Sequence, residues 1–100
     1  MICDPESDAI TLYHGTTTAS AESIQRTQFR PSYDGWIWFG DLHVARAYAN
    51  SRSSGVAANA RIIECKVMLG TNGVDSRCMG GGVYVIKHPH QIRVVRVFAP

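Results

Sequence analysis

Leu12-Tyr13-His14-Gly15-Thr16 is the stretch whose reading decides the fold. Ile10 to Tyr13 has the composition of a short strand, and that strand is then broken by a histidine and a glycine where packing alone favours Val or Ile. Two accounts fit. In one, the pair is a strand-to-loop turn in which Gly15 supplies an unusual dihedral. In the other, His14 hydrogen-bonds a ligand hydroxyl while Gly15 offers its bare N–H and C=O to an amide. Gly35-Trp36-Ile37-Trp38-Phe39-Gly40 is broken in a similar way. Its alternation places both indoles on one face, and a domain this small has little room for both inside.

The rest of the chain reads outward from these two strands. Thr16-Thr17-Thr18 offers capping hydroxyls for a helix over Ala19 to Gln28, ended by Pro31. Ser32-Tyr33-Asp34-Gly35 is a turn, followed by a strand over Trp36 to Phe39. Asp41 is the expected N-cap of a helix over Leu42 to Asn50, with Val44, Ala45, Tyr48 and Ala49 on one face. Ser51 to Asn59 reads as a polar loop, Arg61 to Leu69 as a strand and Gly70 to Gly82 as a loop. Val83 to Ile86 and Gln91 to Phe98 are two more strands, separated by His88-Pro89-His90. Strands dominate the second half without intervening helices, so the fold class is α+β rather than doubly wound.

Bulk properties narrow the setting. One hundred residues make one domain, with 45% hydrophobic and 18% charged residues, the balance of an ordinary globular protein. Residues 1–9 are expected to form a flexible N-terminus and residues 10–100 the single domain. No apolar run reaches the roughly 20 residues of a membrane span, and no signal peptide is visible. The three cysteines, Cys3, Cys65 and Cys78, form no CxxC pair, which favours reduced thiols and a cytoplasmic setting. The net charge of +2 is too small to argue for nucleic acid.

Other chemistries find little support. His43, His88, His90 and the cysteines match no metal-ligand spacing, so no metal is expected. Gly80-Gly81-Gly82 lacks the Lys-Ser/Thr and helix of a phosphate loop and reads as a flexible turn. Lys87, Arg93 and Arg96 read as a solvated strand face. Trp38 and Tyr48 could sandwich a planar ring, or could simply be core.

The order of motifs says more than any one of them. Leu12-Tyr13-His14-Gly15-Thr16 is followed by Ala21-x-x-Ile24 and Phe29, by Gly35-Trp36-Ile37-Trp38-Phe39-Gly40-Asp41, and by Ala45-Arg46-Ala47-Tyr48-Ala49. Cys65-Lys66-Val67-Met68-Leu69-Gly70 and Val83-Tyr84-Val85-Ile86-Lys87-x-x-x-Gln91-Ile92 close the series. This order resembles the catalytic domain of the poly(ADP-ribose) polymerase-like, diphtheria-toxin-like ADP-ribosyltransferases, over about Leu12 to Phe98. The resemblance implies a split, mostly antiparallel sheet with two short helices, NAD as co-substrate, and a protein or nucleic-acid acceptor. By the same resemblance His14 and Tyr48 are the first two members of a His-Tyr-Glu triad. His14 would bind ribose hydroxyls, Gly15 the nicotinamide carboxamide, and Trp38 and Tyr48 the ring; Thr16, Phe39 and Ala45 complete the implied NAD site.

The departures shape the expected activity. The triad glutamate position is Val83, which can neither anchor a ribose hydroxyl nor stabilise positive charge. Ala45 replaces a serine that contacts the carboxamide, and Lys66 replaces an acidic residue. Polymer synthesis is therefore not expected. The resemblance implies a mono-ADP-ribosyltransferase, with a catalytically inactive nucleotide- or partner-binding module as the alternative. An NAD-dependent RNA 2′-phosphotransferase is a third reading, which needs Arg26, Arg30, Arg46 and Arg52 to converge.

Overall fold

The computed structural model describes residues 9–31, 34–71 and 73–100. The expected flexible N-terminus lies outside the described residues for positions 1–8, as do Ser32 and Tyr33 of the expected turn. The first strand, β1 (Ile10–Thr17), runs through the His-Gly break without interruption. Gly15 is absent from the residues with positive φ, so the unusual-dihedral account of it is overturned. The first helix, α1 (Thr18–Thr27), begins where Thr17 accepts a hydrogen bond from the Ser20 N–H, a side-chain cap for one of the orphan donors of the first turn. It ends at Gln28, whose φ of 69° turns the chain out of the helix before Pro31 is reached.

Strand β2 (Ile37–Gly40) leads straight into α2 (Leu42–Arg52), capped by Asp41 Oδ1 accepting from the Val44 N–H at 2.9 Å. Then come β3 (Ala60–Val67), β4 (Ser76–Gly80), β5 (Val83–Ile86) and β6 (Ile92–Phe98). Single 3-10 turns at Ala57–Asn59 and Pro89–Gln91 precede β3 and β6. The presence of β4 corrects the expected Gly70 to Gly82 loop. Ser76-Arg77-Cys78-Met79 has no clean apolar alternation, and it becomes a strand by pairing with β5. Gly80, Gly81 and Gly82 form the turn between them, all at positive φ, where a side chain would be strained.

The six strands form one sheet in the order β4-β5-β2-β1-β3-β6, with every recorded pairing antiparallel. The architecture is a small α+β domain. The two helices cover opposite faces, because the alternation of β3 sends Ile63 to the core that holds Ala21 of α1 and Ile62 to the core that holds Ala45 and Ala49 of α2. Gly15 sits beneath α2, where an added Cβ would collide with the Ala45 carbonyl and meet Ala49 N. The glycine is thus required by close approach of a helix to a strand.

One seam in the sheet stands out. β1 pairs with β3 along its whole length, but it pairs with β2 at Tyr13↔Gly40 alone. β1 and β2 are thus neighbours in the sheet through a single recorded pair.

The cysteines also depart from expectation. Cys65 is free and buried, and burial together with the nearby Glu64 charge pushes its thiol up to about 12. Cys78 is disulfide-bonded, which overturns the reading of three reduced thiols and removes the cysteine argument for a cytoplasmic setting. Cys3 lies outside the described residues. No helix among the described residues is long and apolar enough to cross a membrane.

Candidate functional site

His14 lies at this seam, next to Tyr13 of the single β1–β2 pair. Its Nδ1 lies 2.7 Å from the carbonyl oxygen of Trp38, on the opposite strand. A carbonyl only accepts, so Nδ1 carries the proton and Nε2 is left with a lone pair. Where a continuous ladder would bond backbone to backbone, an imidazole bridges the gap. The ring packs against the Phe29–Phe39 pair, 5.1 Å between centroids and edge-on to Phe29, 5.6 Å and tilted to Phe39. Burial holds its pKa below the ordinary value. The Trp38 bond opposes that shift, and the Arg52 charge adds to it. His14 is therefore a neutral, oriented acceptor near neutral pH.

Two clefts share this residue. The first, about 270 Å³, is lined by Tyr13, His14, Gly15, Asp34, Trp38, Tyr48 and Arg52. Its walls are aromatic. Trp38 is half-buried, and Tyr48 is 39% exposed, which rules out the core-packing account of that tyrosine. The Trp38 indole N–H donates to Asp34 Oδ2 at 3.0 Å, and Asp34 Oδ1 accepts the backbone N–H of Trp36 at 3.0 Å. The second cleft, about 220 Å³, also includes His14 and Arg52, together with Thr16, Arg30 and the hydroxyls of Ser20, Ser23 and Thr27. Their joint size is on the scale of a small-ligand site, roughly 300–1,000 Å³.

The sequence-expected residues divide accordingly. His14, Gly15, Trp38 and Tyr48 come together in the aromatic cleft, and Thr16 lines the second one. Phe39 and Ala45 do not line either: Phe39 is sealed in the core against Phe29, and Ala45 is sealed between α2 and the sheet. Both act from behind the site, Phe39 by bracing the imidazole and Ala45 by allowing α2 to lie on Gly15. Val83 pairs with Gly40 on β5 and lines neither cleft. Of the four arginines considered together, Arg30 and Arg52 share the second cleft, and Arg26 and Arg46 are not part of it.

Trp36 has a different neighbourhood from Trp38. Lys87 Nζ lies 5.0 Å and the Arg77 guanidinium 5.6 Å from its ring centroid. Lys87 is thus not simply solvated, and neither is Arg96, which pairs with Glu64 at 2.8 Å and lies over Phe98. Sequence reasoning missed Asp34, Tyr13 and Arg52 as lining residues of the aromatic cleft. Asp34 carried one available signal, an Asp-Gly turn four residues before a tryptophan. His88 and His90 stack, and Asp75 lies 3.7 Å from His88, yet no group able to hold a metal occurs among the described residues.

No protein-family model matches the chain, and no curated protein matches it in sequence.

Proposed function

We propose that the chain is an NAD-binding domain that transfers a single ADP-ribosyl group to a macromolecular acceptor. The observation that supports this best is the meeting of His14, Gly15, Trp38 and Tyr48 at the sparsely paired seam between β1 and β2. Trp38 and Tyr48 offer faces on which a planar ring can stack. Gly15 lies on the stretch of β1 that β2 leaves unpaired, which suits amide recognition. The lone pair of His14 Nε2 suits a ribose hydroxyl, and Arg52 and Arg30 suit a pyrophosphate. A dinucleotide needs both kinds of wall.

In the proposed reaction the bond between nicotinamide and ribose C1′ breaks, and its electron pair leaves with the ring as neutral nicotinamide. The ribose carries the positive charge until an acceptor lone pair forms the new bond at C1′ and the acceptor proton is released. The domain contributes by orienting the sugar and holding the ring. With Val83 outside the clefts, deprotonation of the acceptor falls to the acceptor itself or to water, and chain elongation is not proposed.

A second reading, a module that binds a nucleotide without turnover, is favoured by the same position of Val83. One experiment separates the two. Purified protein is incubated with NAD labelled in the adenylate portion, together with candidate proteins and RNA, and free nicotinamide and transferred label are both followed. Transfer that is lost in Tyr48→Ala supports the transferase. A thermal shift by NAD without nicotinamide release supports the binding module. Neither a shift nor release overturns both.

A further inference from the structure

The aromatic cleft contains one carboxylate among its described lining residues, that of Asp34. We infer that Asp34 is a specificity-determining residue: it fixes the Trp38 indole as the wall of the cleft and selects a positively charged planar ring over a neutral one. The inference rests on the proposed dinucleotide reading and adds to it which ring the cleft prefers and why.

Three observations carry it. Both carboxylate oxygens are used to set geometry, Oδ2 on the Trp38 indole N–H and Oδ1 on the Trp36 backbone N–H. A carboxylate oxygen accepts more than one hydrogen bond, so these contacts leave the charge in place. No Lys, Arg or His among the described residues lies within ion-pair distance of it. The negative charge at the edge of the Trp38 ring is therefore uncompensated, and an indole face itself attracts cations.

The cleft also holds a charge of the reverse sign. Arg52 lies beside His14 and continues into the second cleft with Arg30. A ligand with a cationic ring at one end and phosphates at the other is aligned by this polarity, ring toward Asp34 and phosphates toward the arginines. Asp34 is the carboxylate among the described lining residues that favours the oxidised, charged nicotinamide ring over its reduced, neutral form.

The test compares oxidised with reduced dinucleotide. The chain has two tryptophans, so indole N–H resonances provide two reporters, assigned with Trp36→Phe. Wild-type protein should bind the oxidised form more tightly, by about two- to fivefold for an exposed charge. Asp34→Asn should move the Trp38 indole resonance and bring the ratio close to one by weakening the oxidised form alone. Trp38→Phe, which removes the indole donor and keeps the charge, should retain the preference. An Asp34→Asn protein that keeps the full ratio overturns the inference, and so does one that loses both forms equally. If Asp34→Asn does not fold, loss of the preference in Trp38→Phe overturns it instead. Wild-type protein that binds both forms without preference overturns this inference alone, whereas binding of neither overturns the dinucleotide reading as well.

Discussion

The imidazole of His14 and the carbonyl of Trp38 are joined across 2.7 Å at the sparsely paired seam between β1 and β2. The bond sets the tautomer of the one and satisfies the other, so a side chain links the two strands beside the cleft. Removing it has two costs. His14→Ala leaves a cavity beside Phe29 and Phe39 and removes a donor from the Trp38 carbonyl. A loss of about 2–4 kcal/mol is expected by denaturant unfolding.

The same histidine gives the fold a pH dependence of definite sign. Its pKa in the folded protein is depressed, chiefly by burial. On acidification from about 6.5, the ordinary value, the unfolded chain takes up a proton that the folded state refuses. The His14 contribution is therefore intact above that pH and is lost as pH falls through the folded value. His14→Gln keeps a donor but does not titrate. Subtracting its stability curve from that of wild type should leave a difference that appears only on the acidic side. A difference that is flat with pH would contradict the assignment.

Gly15 is predicted to be intolerant of any side chain for a reason unrelated to ligand. An added methyl meets the backbone of α2 at Ala45 and Ala49, which cannot rotate aside as a side chain can. Gly15→Ala should cost about 3 kcal/mol, or prevent folding, whether or not a dinucleotide is present. Thermal unfolding with and without NAD measures this: rescue of Gly15→Ala to wild-type stability by ligand would argue against a packing origin.

The outline of this arrangement was legible in the sequence, and the reasons for the remainder are physical. Thr17 and Asp41 announce their helices because a side-chain acceptor before an apolar run has few other uses. His14 and Gly15 interrupt a strand visibly. By contrast, β4 owes its existence to a partner strand, since Arg77 and Met79 are exposed and carry no pattern of their own. Ala45 illustrates a different limit: the resemblance placed it in the NAD site, whereas it packs α2 against Gly15. The Asp-Gly turn marked Asp34 as a turn residue, but its place in the cleft depends on the rotamer of an indole four residues away.

The cysteine pattern yields a redox prediction. Cys65 is free and sealed in the core, and Cys78 is disulfide-bonded. Native protein should resist alkylation at Cys65, because the thiol is both inaccessible and protonated. Denatured, unreduced protein should be alkylated at Cys65 and not at Cys78, and prior reduction should expose Cys78. Peptide mass mapping decides the matter, and alkylation of Cys78 without reductant would contradict the disulfide.

Tyr48 provides the cleanest separation between fold and site. It is 39% exposed on α2 and lines the aromatic cleft, while its neighbours Ala45 and Ala49 take the buried face of the helix. Surface substitutions of this kind usually change stability by no more than about 0.5 kcal/mol. Tyr48→Ala should therefore unfold at nearly the wild-type denaturant midpoint. It should also lose the ring-stacking contact, worth about 0.5–1.5 kcal/mol beyond buried area, and so weaken dinucleotide binding by several-fold. Tyr48→Phe keeps the ring and should bind as wild type does if stacking is the contribution. If Tyr48→Phe instead falls to the level of Tyr48→Ala, the hydroxyl is the functional group, and the tyrosine's part in the cleft is hydrogen bonding to ligand rather than a face for its ring.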